Sequence, residues 1–222
     1  DKAVYPVNAM GMSKAMMEKV AQSHGLNNPN AQTTVSLVRY GNVMYSRGSV
    51  IPLFIRQLKS GQDLTVTNPD MTRFMMSLAN SVDLVEFAFQ HAEQGDLFVR
   101  KAQAGTIRDL SQAVISLCRP HAKIDAIGTR HAEKVSEALA TREELSRAKD
   151  MGDYFRIVAD KRDLNYSVYV EKGDVTQTHY SDYDSHTVDR MTVEEIERLL
   201  LTLPEVNAEL TSAGIDSEAT SR

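Results

Sequence analysis

A helix that runs straight into a short buried strand constrains this chain more than any other feature of its sequence. From Asn8 to about Ser23 apolar residues recur at helical spacing, at Met10, Met17, Val20 and Ala21, and Gly25 with Asn27-Asn28-Pro29 ends the run. Thr33 to Arg39 (TTVSLVR) is brief and β-branched, the pattern of a strand covered on both faces, and Tyr40-Gly41-Asn42 turns out of it. A helix followed by such a strand predicts a parallel α/β sheet. The Met-rich sets at Met10–Met17 and Met71–Met76 fall on faces expected to pack, so they are read as core.

The regular alternation then lapses. After a Ser46-Arg47-Gly48 loop, Val50 to Leu58 reads as a helix, and beyond Gly61 short strands are expected near Leu64–Thr67 and Phe74–Leu78. Ser81–Ala92 and Asp109–Leu117 are amphipathic helices, with strands at Asp96–Lys101 and Lys123–Ile127. The irregular stretch Tyr154–Tyr183, rich in Asp and Tyr, is expected to lie extended across another surface, such as a neighbouring subunit. Thr192 and Glu195 form a capping box for a last helix ending near Leu203-Pro204, and the polar tail after Asn207 is expected to be disordered. The fold class is α/β: part of a doubly wound parallel sheet, a smaller mixed α/β region and an extended carboxy-terminal segment.

Composition sets outer limits. At 222 residues and 42% hydrophobic content the chain can bury a sizeable core. A net charge of -5 with both signs mixed along the chain offers no basic face for nucleic acid and no polybasic stretch for an anionic membrane. No window approaches the roughly eighteen apolar residues of a membrane span, and no signal-peptide pattern opens the chain, so the cytoplasm is the expected location. The single cysteine, Cys118, lies in an apolar helical run and is read as a buried structural thiol. The six histidines lack ligand spacing, so no metal site is expected, and the eleven glycines never cluster into a dinucleotide loop.

Two residue pairs carry chemistry. Met10 and Lys14 are four apart and share a helix face. In short-chain dehydrogenases a tyrosine stands at the first of these positions, where the lysine ammonium lowers its pKa so that the phenolate takes a hydroxyl proton during hydride transfer. Methionine cannot do this, and no tyrosine in the chain has a lysine four residues later. Just upstream, Asp1-Lys2 sets a carboxyl beside an amine, a pair able to act as acid and base.

The segments DKAVYPVNAMGMSKAMMEKV, RYGNVMYSRGSVIPLF, MTRFMMSL, RHAEKVSEAL and YFRIVADKRDLNY resemble the bacterial capsular and surface-polysaccharide UDP-N-acetylglucosamine 4,6-dehydratases, which are extended short-chain dehydrogenases. The likeness is strongest to the group in which methionine replaces the active-site tyrosine, and it covers roughly residues 1 to 200. It implies a Rossmann-like fold with residues 1–60 as the second half of a truncated NADP-binding domain and 61–152 as the main UDP-sugar domain. Residues 153–206 would form the polysaccharide-biosynthesis carboxy-terminal region and 207–222 the disordered tail. It further implies NADP as cofactor, UDP-N-acetylglucosamine or a related UDP-hexosamine as substrate, inversion at carbon 5, and a homo-oligomer for which a hexamer is one form. The family's glycine-rich loop would precede Asp1, so the chain reads as truncated and is expected to be inactive without that part.

Carried over residue by residue, the resemblance makes Lys2 the carbon-5 base and Asp1 the acid at the departing 6-hydroxyl. Met10 stands at the tyrosine position, so the 4-hydroxyl proton must leave by a bound water, Lys14 or another side chain. Lys14 would hold the nicotinamide ribose, and Tyr40, Gly41 and Val43 fall where nicotinamide contacts are expected. Ser46-Arg47-Gly48-Ser49 matches the loop between cofactor and substrate, with Arg47 on the cofactor side and Ser49 on the substrate side. Asn42, Arg73 and Arg130 match nucleotide-sugar contacts, and Glu133 matches the carboxylate at the uridine ribose hydroxyls. A diphosphate needs fixed donors of this kind. Ala132 stands where the family commonly has glycine in Arg-x-Gly-Glu, which leaves the backbone less free. Two other readings stay open: a UDP-hexose 4-epimerase, against which Asp1-Lys2 and the missing tyrosine argue, and a non-catalytic binding or assembly module.

Overall fold

The computed structural model describes residues 1–159 and 181–214. In chain order its elements are α1 (Ala9–Asn27), β1 (Leu37–Arg39), α2 (Val50–Lys59), β2 (Leu64–Val66), β3 (Thr72–Phe74), α3 (Leu78–His91), β4 (Leu97–Arg100), β5 (Ala104–Thr106) and α4 (Ile107–Cys118). There follow β6 (Ile124–Ala126), β7 (Ala138–Ala140), α5 (Arg142–Leu145), β8 (Ala148–Asp150), β9 (Tyr154–Ile157), β10 (Tyr183–Asp184), α6 (Val193–Leu201) and α7 (Pro204–Ser212). They fall into two compact units, each built from three stretches of chain. The first comprises Asp1–Tyr40, Ala79–Lys101 and Ala138–Asp184, the second Gly41–Leu78, Ala102–Glu137 and Ser185–Arg222.

In the first unit the expected parallel pairing is present. β1 lies parallel to β4, with Leu37 opposite Leu97, and β9 and then β8 extend the sheet antiparallel in the order β1-β4-β9-β8. Leu97, Phe98 and Val99 are wholly buried, the continuous apolar run of a strand covered on both faces. Leu84 and Ala88 of α3 pack on Phe98, while the Phe87 ring stacks on Tyr154 at 3.9 Å. Tyr154–Ile157 is therefore a strand within the sheet, not the start of an extended surface strap. Residues 160–180 of that stretch lie outside the described residues, and Tyr183 at its end pairs with Ala140 of β7 as part of β10.

α1 forms where the pattern places it, but with the other face inward. Asn8 caps it by accepting the Gly11 amide at 2.9 Å. Its buried residues are Gly11, Glu18 and Gly25, spaced by sevens, while Met10, Met12, Met16, Met17 and Val20 are all more than half exposed. The reading of Met10–Met17 as core is thus corrected: two glycines admit neighbouring backbone, and Glu18 is buried because it is paired. Arg39 donates to both Glu18 oxygens at 2.8 and 2.6 Å, to Glu144 at 2.7 and 2.9 Å and to the Leu139 carbonyl at 3.1 Å. Burial pulls the Arg39 guanidinium down, but these bonds outweigh it and hold its pKa above the ordinary value.

The second unit contains an apolar core shared by several helices. Phe54 and Leu58 of α2, Leu110 and Val114 of α4, Ile196 of α6 and Leu210 of α7 share it. Thr106 caps α4 by accepting the Asp109 amide at 3.0 Å, and Thr192 with Glu195 forms the expected capping box on α6. Beyond it, Pro204 opens α7, whose Val206 and Leu210 are buried, so residues 207–212 are helical where a disordered tail was expected. Two small sheets, β2 parallel to β6 and β3 antiparallel to β5, complete the unit. The strand expected at Phe74–Leu78 sits earlier, at Thr72–Phe74, because Leu78 already opens α3. Met71, Met75 and Met76 are buried as read from the sequence. Burial also pushes the Cys118 thiol up to about 11, as befits a structural residue. Among the described residues no helix is long and apolar enough to cross a membrane, and no group of residues could hold a metal ion.

Candidate functional site

A cavity of about 370 Å³ opens in the second unit. The first turn of α2 lines it, together with Asn42, Thr67, Arg73, Arg130 and Glu133. All five residues assigned from sequence to the nucleotide sugar, Asn42, Ser49, Arg73, Arg130 and Glu133, are thereby brought together, with Val43 beside them.

Each lining group has a definite local cause. The segment Gly41–Met44 is held against Met76, whose amide donates to the Asn42 carbonyl at 3.3 Å and whose carbonyl accepts the Met44 amide at 2.8 Å. Gly41 is required by packing: a Cβ there would lie 2.4 Å from Cβ of Phe74. Ser49 takes the N-cap position of α2 without capping it. Its Oγ and the Oδ1 of Asn42 are buried and have no hydrogen-bond partner among the described residues. Such orphaned atoms are uncommon and costly, and here both border a cavity onto which the amides of a ten-residue helix open.

Arg73 supplies charge to the same wall. Its guanidinium donates to the carbonyls of Thr72 at 2.8 Å, Lys134 at 2.9 Å and Val135 at 3.2 Å, and it makes no ion pair among the described residues. Burial lowers its pKa from the ordinary value, partly offset by Glu137 and Glu133. Glu133 is oriented by Thr67, whose hydroxyl donates to it at 3.1 Å, and by the Arg130 amide at 3.3 Å. The turn between Arg130 and Glu133 passes through Ala132 at φ 60°, a left-handed conformation that favours glycine. The cavity thus offers two cationic forks, a carboxylate, a helix N-terminus and two unpaired polar atoms, a donor set suited to an anion carrying sugar hydroxyls. Arg47 is exposed and is not among the lining residues, although its neighbours Ser46 and Gly48 are.

The other assigned residues lie in the first unit. Lys2 Nζ and Asp1 Oδ2 form an ion pair at 3.1 Å, with the Asp1 side chain 10% exposed and that of Lys2 38% exposed. Met10 and Lys14 stand one turn apart on α1, both exposed, and Tyr40 is exposed at the end of β1. Sequence reasoning missed Gly11. A Cβ there would lie 2.8 Å from the Lys2 carbonyl and 2.9 Å from Cβ of Pro6, so this glycine lets the Asp1–Pro6 loop rest directly on α1. The visible signal was a glycine in the first turn of a helix, among good helix formers such as Met12, Lys14, Ala15 and Glu18. Thr67 was missed as well, and nothing in a lone threonine marks it as a partner of Glu133.

The parallel β1–β4 pair and the helix-flanked sheet define a Rossmann-like mixed α/β protein. The profile of the polysaccharide biosynthesis protein family matches residues 1–159, and that of its carboxy-terminal region matches 160–207. The chain belongs to the polysaccharide biosynthesis protein family. A protein of Rickettsia rickettsii named UDP-glucose 4-epimerase is 51% identical over 213 residues, which is 96% of this chain and 62% of that protein. This chain spans about three-fifths of the length of the curated relatives it matches. The X-ray structure of Pen from Bacillus thuringiensis superposes with a TM-score of 0.77 at 33% identity, over 90% of this chain and 59% of that one. DesIV, a dTDP-glucose 4,6-dehydratase of Streptomyces venezuelae solved with NAD and TYD bound, shares the fold with a TM-score of 0.50 at 17% identity. That superposition covers 59% of this chain and 41% of DesIV.

Proposed function

We propose that the protein carrying this sequence is an NADP-dependent dehydratase that converts UDP-N-acetylglucosamine to a UDP-2-acetamido-2,6-dideoxy-4-hexulose in surface polysaccharide synthesis. The observation that carries the nucleotide-sugar part is the cavity of the second unit, where, among the described residues, Arg73 lacks an ion pair and Asn42 and Ser49 each present an unpartnered buried atom. Arg73, Arg130 and the first turn of α2 would take the diphosphate, and Glu133, oriented by Thr67, the ribose hydroxyls.

Elimination of water rests on Asp1 and Lys2. The base at carbon 5 must be a neutral amine and the group at the 6-oxygen a protonated acid. A proton passed from Lys2 Nζ to Asp1 Oδ2 across their 3.1 Å contact produces both at once, with no change in net charge. Lys2 then removes the carbon-5 proton and Asp1 protonates the departing hydroxyl, which leaves as water and restores the ion pair; carbon 5 takes a proton back from solvent, which balances the one given up by the 4-hydroxyl. The chemistry supplied by bound NADP is acceptance of hydride from carbon 4 and its return at carbon 6. Lys14 and Arg47 are exposed cations without ion pairs among the described residues, which fits them to an anionic dinucleotide. Met10 has no proton to exchange, so the 4-hydroxyl proton is assigned to water beside Lys14.

The names of the Rickettsia relatives favour a second reading, 4-epimerisation of a UDP-hexose. It needs no acid at the 6-oxygen and leaves Asp1-Lys2 without a task. Mass spectrometry of the product formed from UDP-N-acetylglucosamine and NADP by the full-length protein separates the two. Loss of one water is expected, and it should vanish in Lys2→Ala. An unchanged mass with altered carbon-4 stereochemistry would overturn dehydration. The third reading, a binding or assembly module, predicts that the 222-residue chain binds UDP while the full-length protein changes no nucleotide sugar.

A further inference from the structure

One wholly buried polar residue beside the cavity has no part in the chemistry above. Ser185 has no exposed surface. Its hydroxyl accepts the Glu137 amide at 2.9 Å, donates to the Thr72 carbonyl at 3.1 Å and bonds the Thr72 hydroxyl at 2.8 Å. Its own amide donates to the Glu137 carbonyl at 2.8 Å. Ser185 therefore joins β3 to the segment 134–137 from both sides. These are the same two segments whose carbonyls hold Arg73, and the Thr72 carbonyl is shared, accepting from Ser185 and from Arg73 Nη1 at 2.8 Å.

The choice of side chain follows from the count of groups. The Glu137 amide needs an acceptor and the Thr72 carbonyl faces a donor, and a hydroxyl meets both demands at once. Arg73 has no carboxylate within ion-pair distance among the described residues, so its planar fork points where three carbonyls direct it. We propose that Ser185 is a positioning residue for Arg73: it clasps the two carbonyl-bearing segments and so fixes the guanidinium at the cavity wall. The inference rests on the reading of Arg73 as a UDP-binding residue.

The test is a double-mutant cycle on UDP affinity, measured by calorimetry on the chain, with melting curves to establish folding. Arg73→Ala should weaken UDP binding about tenfold or more, as loss of a charge-assisted donor does. Ser185→Ala should weaken it by about fivefold, and in the Arg73→Ala background it should add less than about twofold, because the two residues act as one unit. A folded Ser185→Ala protein with unchanged UDP affinity overturns the inference, and so does an effect of equal size with and without Arg73. If Arg73→Ala itself leaves UDP binding intact, the assignment of Arg73 fails and this inference falls with it. Should Ser185→Ala not fold, the near-isosteric Ser185→Cys takes its place. About threefold weaker binding that disappears in the Arg73→Ala background is then expected, and wild-type affinity overturns the proposal.

Discussion

Ala132 sits at φ 60° between Arg130 and Glu133, two residues of the cavity wall. A Cβ in the left-handed region crowds the following carbonyl and costs roughly 1–2 kcal/mol, part of which glycine returns as greater freedom of the unfolded chain. Ala132→Gly should therefore stabilise the chain by about 0.5–1 kcal/mol, read as a higher urea midpoint at unchanged slope. A lower midpoint would show that the loop carries no strain. Part of this was legible: the sequence shows alanine where its resemblance leads one to expect glycine. The backbone angle that makes the exchange matter was not, since no side-chain pattern reports φ. Likewise Asn42 and Ser49 could be named from motifs, but that Ser49 stands at an N-cap without capping, its hydroxyl left over, is a fact of three dimensions.

Among the elements, α1 shows how hydropathy misleads. Its large apolar residues, Met10, Met12, Met16, Met17 and Val20, are exposed, and the face turned inward carries Gly11, Glu18 and Gly25. The helix is pinned through Glu18 to Arg39 of β1, which also reaches Glu144 at the head of α5. Removing the central cation leaves two buried carboxylates facing one another, so Arg39→Met should cost roughly 3–5 kcal/mol in urea unfolding. A loss under about 1 kcal/mol would mean the cluster is solvated. The same cluster gives a pH dependence. Burial alone would raise the Glu144 pKa, but the Arg39 bonds outweigh it and the net shift is downward. A depressed carboxylate stabilises the fold above its unfolded pKa and loses that contribution as pH falls through the folded value. The urea midpoint should accordingly fall as pH drops from about 5 towards 3. Glu144→Gln should flatten that fall, and an equally steep profile in the variant would remove Glu144 as its cause.

Across the whole molecule each unit is assembled from three separated stretches, so neither can form until distant parts of the chain meet. The second unit draws its last core residues from near the end of the chain, where Val206 and Leu210 of α7 pack into the cluster that contains Leu58 and Leu117. Ending the chain after Leu203 removes two buried side chains worth about 1.5–3 kcal/mol each. That truncation should melt several degrees below a chain ended after Gly214. Equal melting of the two truncations would mean that α7 is not part of the core.

Local sequence determined α1 to α4, α6, the strands β1, β2, β4 and β6, the Thr192–Glu195 capping box and the α/β character, because caps and periodicity act over a few neighbouring residues, while the residues gathered round the cavity were named by family resemblance. Tertiary structure alone decided which face of α1 turns inward, that Tyr154–Ile157 joins the sheet, that α7 closes the core and that Ser185 stands behind Arg73. Each of these depends on a partner tens of residues or more away: Arg39 for Glu18, β4 for β9, Leu58 for Leu210, Thr72 for Ser185. Burial of a charge or a hydroxyl is tolerable only where its partner is already in place, and that placement is a property of the folded chain.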